Sequence, residues 1–325
     1  MSSRPRPILV DMPLHIKENI VSRVDFKTRY ALEACSKHLH NIVNTTPTVY
    51  KDITLVRSAF YQGSGRFKEE WELIVTTQQS KFRLKAIRRW PDEKNHFRFV
   101  KALEGIFKNP RAHFDRIDIF CTDWVMLKKV LSSLNHKLSL RRVTLRENLH
   151  TKSILSVLPY LQPGVLEEIN LSFSRRAGLK QLSQLDQWKQ AKTFDLENPI
   201  IPIEQLFHLP ELTLSIAQLT LEDAKKVIDF ALKMGEEFRS WKIYSRTPIH
   251  SLKQHFGRFT KMDIPNSDLK MMLYFESDLF YLKNMKYCTE CELGWKKYAE
   301  ENREDSDFDD EELEDEEGGE EEEDQ

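Results

Sequence analysis

The chain has 325 residues, of which 40% are hydrophobic and 19 are phenylalanine, so it can bury a substantial core. Its length fits one small module and one larger domain. No uncharged apolar run reaches the ~18 residues that a membrane-spanning helix needs. Four cysteines in a chain of this length do not form a disulfide scaffold, and the polar start at residues 1–7 does not resemble a secretory signal. We therefore expect an intracellular protein, cytoplasmic or nuclear, without a membrane partner.

Charge is distributed unevenly along the chain. Residues 300–325 contain 18 Asp or Glu residues and one basic residue, Arg303, so this segment carries −17. Subtracting it from the net charge of −2 leaves +15 for residues 1–299. A block of like charges repels itself and has little apolar surface to bury, which predicts a disordered acidic tail over 300–325. The polar residues 1–7 are predicted to be a disordered leader.

Three short amphipathic helices are predicted between residues 8 and 49. Pro13 lies near the first position of the first helix, where its missing N–H costs nothing, and Asp11 is expected to cap that helix. Asp25 and Ser36 are expected to cap the second and third helices. Apolar residues recur at helical spacing in the first helix (Ile16, Ile20, Val21 and Val24), the second (Phe26, Tyr30 and Ala34) and the third (Leu39, Ile42 and Val43). Arg29 and Glu33 are predicted to form an exposed ion pair on the second helix. About 40 residues seldom bury enough surface to be stable alone, so a partner or a neighbouring domain is expected to cover the module.

This module resembles an F-box, a family with a hydrophobic-Pro start, an apolar helix, a polar turn and a third helix that opens on Cys/Ser-Lys. The residues that carry the resemblance are Met12-Pro13-Leu14, Ile16, Ile20, Val24, Arg29, Leu32, Cys35-Ser36-Lys37 and Leu39. Met12 replaces the commoner Leu, and His38 stands where many members carry an aromatic or polar residue. The resemblance implies that apolar helix faces dock in a groove of a Skp-type adaptor, which links the chain to a cullin-based ubiquitin ligase. It implies adaptor-binding or supporting roles for Pro13, Leu14, Ile16, Ile20, Val24, Leu32 and Leu39.

Predicted strands and helices alternate from about residue 115. Alternating apolar residues predict strands at 116–121, 142–146, 167–173, 193–197, 212–216 and 241–244, whose starts lie 26, 25, 26, 19 and 29 residues apart. Helices are predicted between them at 124–134, 152–161, 182–189, 202–208 and 221–234, the last capped by Thr220 with Asp223. This period favours an α/β (mixed) fold with a leucine-rich-repeat-like domain. An ordinary α/β domain with crossover helices is the alternative, because its local pattern is the same.

The same region resembles the FTH domain, which follows the F-box in nematode F-box proteins. The resemblance covers residues 138–259. It is carried by Ile154-Leu155, Pro159-Tyr160-Leu161, Pro163-Gly164, Leu166-Glu167, Leu185-x-x-Trp188-Lys189-Gln190-Ala191-Lys192, Ile203-Glu204, Phe207-His208-Leu209 and Leu219-x-x-Glu222-Asp223-Ala224. It implies binding of a target protein rather than catalysis. The predicted organisation is a leader at 1–7, an F-box at 8–50, a connecting α/β segment at 51–114, a target-binding domain at 115–260, a C-terminal extension at 261–299 and the acidic tail at 300–325.

Catalytic and metal-binding motifs are weak in this chain. Cys288 and Cys291 form a C-x-x-C pair, but no further Cys or His follows residue 256 to complete a finger-like zinc site. His208 is interpreted as a partly buried histidine that forms hydrogen bonds within the fold. No G-x-S-x-G, H-E-x-x-H or Walker pattern is present. We therefore expect no catalytic residue, no cofactor and no metal.

Three functions are consistent with these sequence features. The first is the substrate-recognition subunit of an SCF-type cullin-RING ubiquitin ligase, with a Skp-type adaptor, a cullin and a target protein as partners. The second is nucleic-acid binding, by a basic three-helix module as in helix-turn-helix proteins or by the basic body, with an autoinhibitory acidic tail. It is not favoured, because the third predicted helix offers only Lys37 as a full positive charge. The third is a scaffold that binds the adaptor without promoting degradation.

Overall fold

A computed structural model of the chain describes residues 11–62, 66–78, 80–89, 94–120, 124–173 and 180–287. The predicted leader and acidic tail lie outside these ranges, and so do three of the four cysteines, Cys121, Cys288 and Cys291.

Helices and strands alternate along most of the described chain. The α-helices are α1 (Leu14–Arg23), α2 (Phe26–Cys35), α3 (Lys37–Thr45), α4 (Lys94–Phe107), α5 (Trp124–Ser132), α6 (Thr151–Leu155), α7 (Asp186–Gln190), α8 (Leu221–Met234) and α9 (His250–Phe256). The strands are β1 (Thr48–Gln62), β2 (Arg66–Thr77), β3 (Lys81–Arg89), β4 (Ala112–Phe120), β5 (Ser139–Leu149), β6 (Glu168–Phe173), β7 (Thr193–Glu197), β8 (Glu211–Ile216), β9 (Ser240–Ser245), β10 (Phe259–Asp263), β11 (Lys270–Phe275) and β12 (Leu279–Asn284). Short 3-10 helices lie at Leu158–Tyr160, Leu182–Gln184, Ile203–Leu206, Gly235–Glu237 and Met285–Tyr287.

These strands form one sheet in the order β10-β11-β12-β9-β8-β7-β6-β5-β4-β1-β2-β3. From β4 to β9 each strand pairs in parallel with the next strand along the chain, and β1 pairs in parallel with β4. The order does not reverse within this parallel part, whereas a doubly wound sheet has a switch point there. Antiparallel strands complete the sheet at both ends.

The mixed α/β fold class predicted from the sequence is confirmed, with a helical region before a large sheet. The six predicted strands correspond to β4–β9, and α8 has the predicted bounds, Leu221–Met234. The segment 182–189, predicted as one helix, is a 3-10 helix followed by the short α7, and 202–208 contains only a 3-10 helix. Pro202 stands directly before that last turn, where a proline fits the start of a short helix.

The remaining described segments extend the same sheet. The segment 51–114, predicted as a connection, contributes most of β1, all of β2 and β3, and α4, and β4 begins within it. The basic strip over 81–89, to which no element was assigned from the sequence, is the edge strand β3. Its alternation is that of a strand, because Lys81, Arg83 and Lys85 are exposed while Phe82 and Leu84 pack against the core.

A continuous core lies between one face of the sheet and the helices that connect the strands. On β6, β7 and β8 every second residue is buried, and these residues cluster with apolar residues of α5, α8 and the 3-10 helices. Phe194 on β7 is fully buried, and its ring meets the ring of Trp188 edge-on at a centroid distance of 4.3 Å. Within the described ranges, no helix combines the length and the apolar character that crossing a membrane requires.

We predict that Phe194→Ala lowers the free energy of unfolding by about 3–5 kcal/mol, because it leaves a cavity beside Trp188 that the sheet cannot close. Val125→Ala is the matched control, since Val125 on α5 is 81% exposed, and a change within about 0.5 kcal/mol is expected. Urea unfolding of both variants measures the difference. Equal stability of the two variants would contradict the core described above.

Candidate functional site

Local capping sets the boundaries of the N-terminal helices. The backbone N–H of Thr28 donates to Asp25 Oδ1 at 2.8 Å, and the N–H of Leu39 donates to Ser36 Oγ at 3.2 Å, so the predicted caps of α2 and α3 are confirmed. The predicted cap of α1 by Asp11 is wrong. The N-cap residue is Pro13, without a side-chain cap, and Asp11 lies two residues before it.

The three helices share a small core and leave apolar side chains outside it. Val21, Leu39, Ile42 and Val43 are buried together, and Leu32 packs against them. Among the predicted adaptor-binding residues, Pro13, Leu14 and Ile16 are exposed, Ile20, Val24 and Leu32 are partly buried, and Leu39 is buried. Leu14 is 57% exposed and Ile16 is 38% exposed, although both are large and apolar. The start of α1 therefore presents an apolar patch, which we define as Pro13, Leu14 and Ile16.

The predicted exposed pair of Arg29 with Glu33 is wrong. Arg29 is buried and its Nη1 donates to the hydroxyl of Thr48 at the start of β1. Burial lowers the pKa of Arg29, and the nearby Tyr50 opposes that change. Glu33 instead lies 3.2 Å from His40 Nδ1 and accepts a hydrogen bond from Asn44 at 3.1 Å. Because Arg29 points to the sheet, it joins the helical module to the rest of the chain.

Backbone and side-chain hydrogen bonds fix this junction. β1 begins at Thr48, three residues after α3 ends, and Asn109 Nδ2 donates to the carbonyl oxygen of Thr46 at 2.8 Å. Tyr50 is buried beside the junction and stacks on Phe114 at 5.1 Å. Burial raises the pKa of Tyr50 to about 12; Arg29 opposes this increase and Glu33 adds to it. The contacts couple the orientation of the three helices to that of β1 and β4.

The second face of the sheet carries polar residues in rows across the strands. The register places Arg116, Arg142, Glu168, Thr193, Glu211 and Ser240 side by side in one row, and Asp118, Thr144, Asn170, Asp195, Thr213 and Lys242 in the next. Side chains alternate between the two faces of a strand, so these rows lie opposite the core. We call this the open face, because its side chains on β6, β7 and β8 keep contact with solvent.

Charges in β4 and β5 and just before β6 and β7 are neutralised by ion pairs. Arg142 Nη2 lies 2.5 Å from Asp115 Oδ2, and Glu167 is bonded by Arg141 at 2.6 Å and by Lys192 at 2.8 Å. The hydrogen bonds from Lys192 and Arg141 lower the pKa of Glu167 to about 2. The pairs border a cleft of about 310 Å³. Because these exposed charges already have partners, they hold neighbouring strands in register rather than offer a free site.

The centre of the open face differs from this edge. Asp195 on β7 accepts no hydrogen bond from any described residue, and it is only partly exposed. Burial raises the pKa of Asp195, Glu197 and Glu168 raise it further, and Arg146 opposes them. Asn170 Oδ1, one strand away, is a buried acceptor without a hydrogen-bond partner among the described atoms. This part of the sheet therefore holds acceptors that the described fold leaves unused.

Other residues singled out in the sequence form no chemical site in the described ranges. His208 Nε2 lies 3.4 Å from the carbonyl oxygen of Trp188, and burial lowers the pKa of the histidine. Cys35 is a free, exposed thiol. Within the residues that the structure describes, no group of three or more His, Cys, Asp or Glu side chains could hold a metal ion.

Comparison with protein families finds two matches. The model of the F-box domain matches residues 9–49, and the model of the FTH domain matches residues 121–263. A search of curated proteins and a search of solved structures each found no match. The chain is thus matched as an F-box protein that carries an FTH domain. An F-box implies binding of a Skp-type adaptor in an SCF-type complex, and both domains are typical of recognition proteins rather than enzymes.

The acidic centre of the open face was missed in the sequence. Glu168, Asp195 and Glu197 occupy polar positions of two predicted strands, and Glu211 lies one residue before the third, so the alternation of apolar residues said nothing about their charge. The signal that could have identified them is the sign of the charge at the polar positions, because β6, β7 and β8 carry acidic residues there and no Lys or Arg.

We predict that Asp195→Asn raises the thermal unfolding midpoint at pH 7 by about 1 °C or more. The folded-state pKa of Asp195 lies above its ordinary value, so ionisation costs stability as the pH rises through the unfolded-state pKa of ~3.9. The gain should vanish below about pH 3, where the carboxyl is protonated in both states. Asp229→Asn on the exposed side of α8 is the control, because it makes the same substitution outside the sheet. A lower midpoint for Asp195→Asn at pH 7 would contradict the argument.

Proposed function

We propose that the chain is the substrate-recognition subunit of an SCF-type cullin-RING ubiquitin ligase. Its F-box docks on a Skp-type adaptor, which connects it to a cullin, and its sheet domain binds a target protein. The observation that carries the proposal is the apolar patch of Pro13, Leu14 and Ile16 within a matched F-box. Exposed apolar side chains grouped on one helix are typical of a helix that docks in a partner's groove.

The seven predicted adaptor-binding residues divide into two roles in this proposal. Pro13, Leu14 and Ile16 contact the adaptor directly, because they are exposed. Leu39 and Leu32 support the patch from the core of the module. Ile20 and Val24, which are partly buried, lie at the border between patch and core.

The junction supports a role in positioning. Arg29 and Asn109 tie the helical module to β1 and β4, so a target on the sheet is held at a defined orientation to the adaptor. Holding two reactants in one geometry makes their reaction effectively intramolecular. Ubiquitin transfer is then catalysed elsewhere in the ligase, and this chain contributes no catalytic residue of its own.

The parallel strands β4 to β9 support the target-binding role. We interpret them as a leucine-rich-repeat-like stack, because every strand pairs with the next one along the chain and the connections cover one face. The open face is then the surface for the target. The protein acts inside the cell, in the cytoplasm or the nucleus, where adaptor and cullin are available.

The net charge of +15 on residues 1–299 favours nucleic acid as a second candidate partner. The carboxylates at the centre of the open face would repel phosphates, so nucleic acid would have to bind another surface. Affinity that falls steeply with salt and does not depend on the F-box would favour this candidate. A scaffold that binds the adaptor without promoting degradation would share the docking patch.

The adaptor test uses two matched pairs of substitutions in the full chain, each co-expressed with a Skp-type adaptor. Leu14→Asp/Ile16→Asp places charges in the patch, and we expect loss of the complex, because a buried unpaired carboxylate costs several kcal/mol at an apolar interface. Val125→Asp/Ile200→Asp makes the same chemical change at residues that are 81% and 60% exposed outside the F-box. That pair should retain the complex. Co-purification followed by size-exclusion chromatography measures both.

Retention of the adaptor by both pairs would refute docking through the patch. Loss by both pairs would indicate a general effect of added charge. Thermal unfolding of the free chains verifies that all four substitutions leave the fold intact, as expected for exposed positions.

A further inference from the structure

The centre of the open face has the opposite charge to the body that carries it. Residues 1–299 have a net charge of +15, yet the outward positions of β6, β7 and β8 hold four carboxylates and no Lys or Arg. These nine positions are Glu168, Asn170, Ser172, Thr193, Asp195, Glu197, Glu211, Thr213 and Ser215. We call this surface the acidic strip. Its other five side chains are neutral and polar, so no large apolar residue covers the carboxylates.

The acidic strip is bordered by basic residues on both sides. Arg116, Arg142 and Arg146 occupy outward positions of β4 and β5, and Lys242 follows on β9, where its Nζ lies 5.2 Å from the ring centre of Tyr281. The strip is therefore three strands wide, about 10 Å between the outer backbones at the usual spacing of ~4.8 Å. This width admits a short segment of a partner rather than a broad protein surface.

The carboxylates of the acidic strip are not all neutralised within the fold. Glu168 accepts from the neutral Asn170 at 3.1 Å, whereas Glu211 accepts from Thr193 at 3.4 Å and also forms an ion pair with Arg239 at 3.8 Å. Within the described ranges, Asp195 and Glu197 form no ion pair. Glu167, one residue before the strip, shows the contrast, because Arg141 and Lys192 both bond it.

The spacing of these groups matches an extended basic segment. Glu197 follows Asp195 by two residues on the same face, a step of about 7 Å along the strand. Lys or Arg residues at alternate positions of an extended peptide repeat at the same interval. Glu168 and Glu211 lie one strand to either side of β7, so they can accept from a cation that overhangs the central strand.

We propose that the acidic strip binds a short extended segment of the target that carries two or more Lys or Arg residues at alternate positions. This inference rests on the proposed function, since it names the chemistry of the target at the same open face. Asp195 and Glu197 form the central ion pairs, and Glu168 and Glu211 accept from the same cations at the sides. The flanking Arg and Lys residues repel like charges, so a segment with a longer run of Lys or Arg residues is excluded.

The test measures binding of a fluorescent eight-residue peptide of alternating Lys and Ser to the full chain in complex with the adaptor. The face variant is Asp195→Asn/Glu197→Gln. Asp229→Asn/Glu237→Gln is the matched control, because it removes one Asp and one Glu charge from exposed positions on α8 and the turn after it. We expect the face variant to bind about five- to tenfold more weakly than the wild type, and the control variant to bind as the wild type does.

The acidic residues 300–325 also attract a cationic peptide, and they are present in all three proteins. Carbodiimide coupling of peptide lysines to protein carboxyls, followed by mass spectrometry, locates the bound peptide. Cross-links to Asp195 or Glu197 in the wild type, and their loss in the face variant, are the expected result. Equal affinity of the face and control variants, or cross-links confined to 300–325, would overturn the proposal.

The outcome separates this proposal from the function on which it rests. If the adaptor co-purifies with every variant and the peptide result is negative, only the acidic strip is rejected. If the wild type fails to bind the adaptor, the proposed function itself is rejected. Asp195→Asn is predicted to stabilise the fold, so weaker peptide binding by the face variant is not explained by unfolding.

Discussion

The pairing of each parallel strand with its successor along the chain is the constraint on which the rest of the structure depends. A parallel connection must cross over the sheet, and such crossovers have one handedness. When the strand order never reverses, all crossovers fall on the same face, as the shared core of α5, α8 and the 3-10 helices shows. That face becomes the hydrophobic core, and the other face is left for polar side chains. The open face follows from this arrangement.

Much of the architecture could be predicted because its signals are local. Alternating apolar residues located β4 to β9, and single side chains such as Asp25 and Ser36 located helix starts. The first pattern depends on how often apolar residues repeat along a single strand or helix. The second depends on a hydrogen bond between a capping side chain and a backbone N–H three residues later. The F-box was also identifiable, because its motif lies within about 40 consecutive residues.

Features that depend on contacts between distant residues could not be predicted in this way. Arg29 looked like half of an exposed helix pair, and only the position of β1 shows that it is buried against Thr48. Glu168, Asp195 and Glu211 belong to strands separated by connections of different lengths, so the sheet register alone makes them neighbours. The strand β3 was missed for a related reason. Its charged face is explained by partners on β2, where Glu72 pairs with Arg83 and Glu70 with Lys85.

The number of strands between β1 and β7 sets the distance between them. The F-box is joined to β1, and β7 lies four strand positions away through β4, β5 and β6. At ~4.8 Å per step, β1 and β7 are about 20 Å apart across the sheet. Inserting one more strand and crossover between β5 and β6 would lengthen this distance by about 5 Å without altering either surface. Repeat number could thus tune the reach of such a protein in evolution separately from what it recognises.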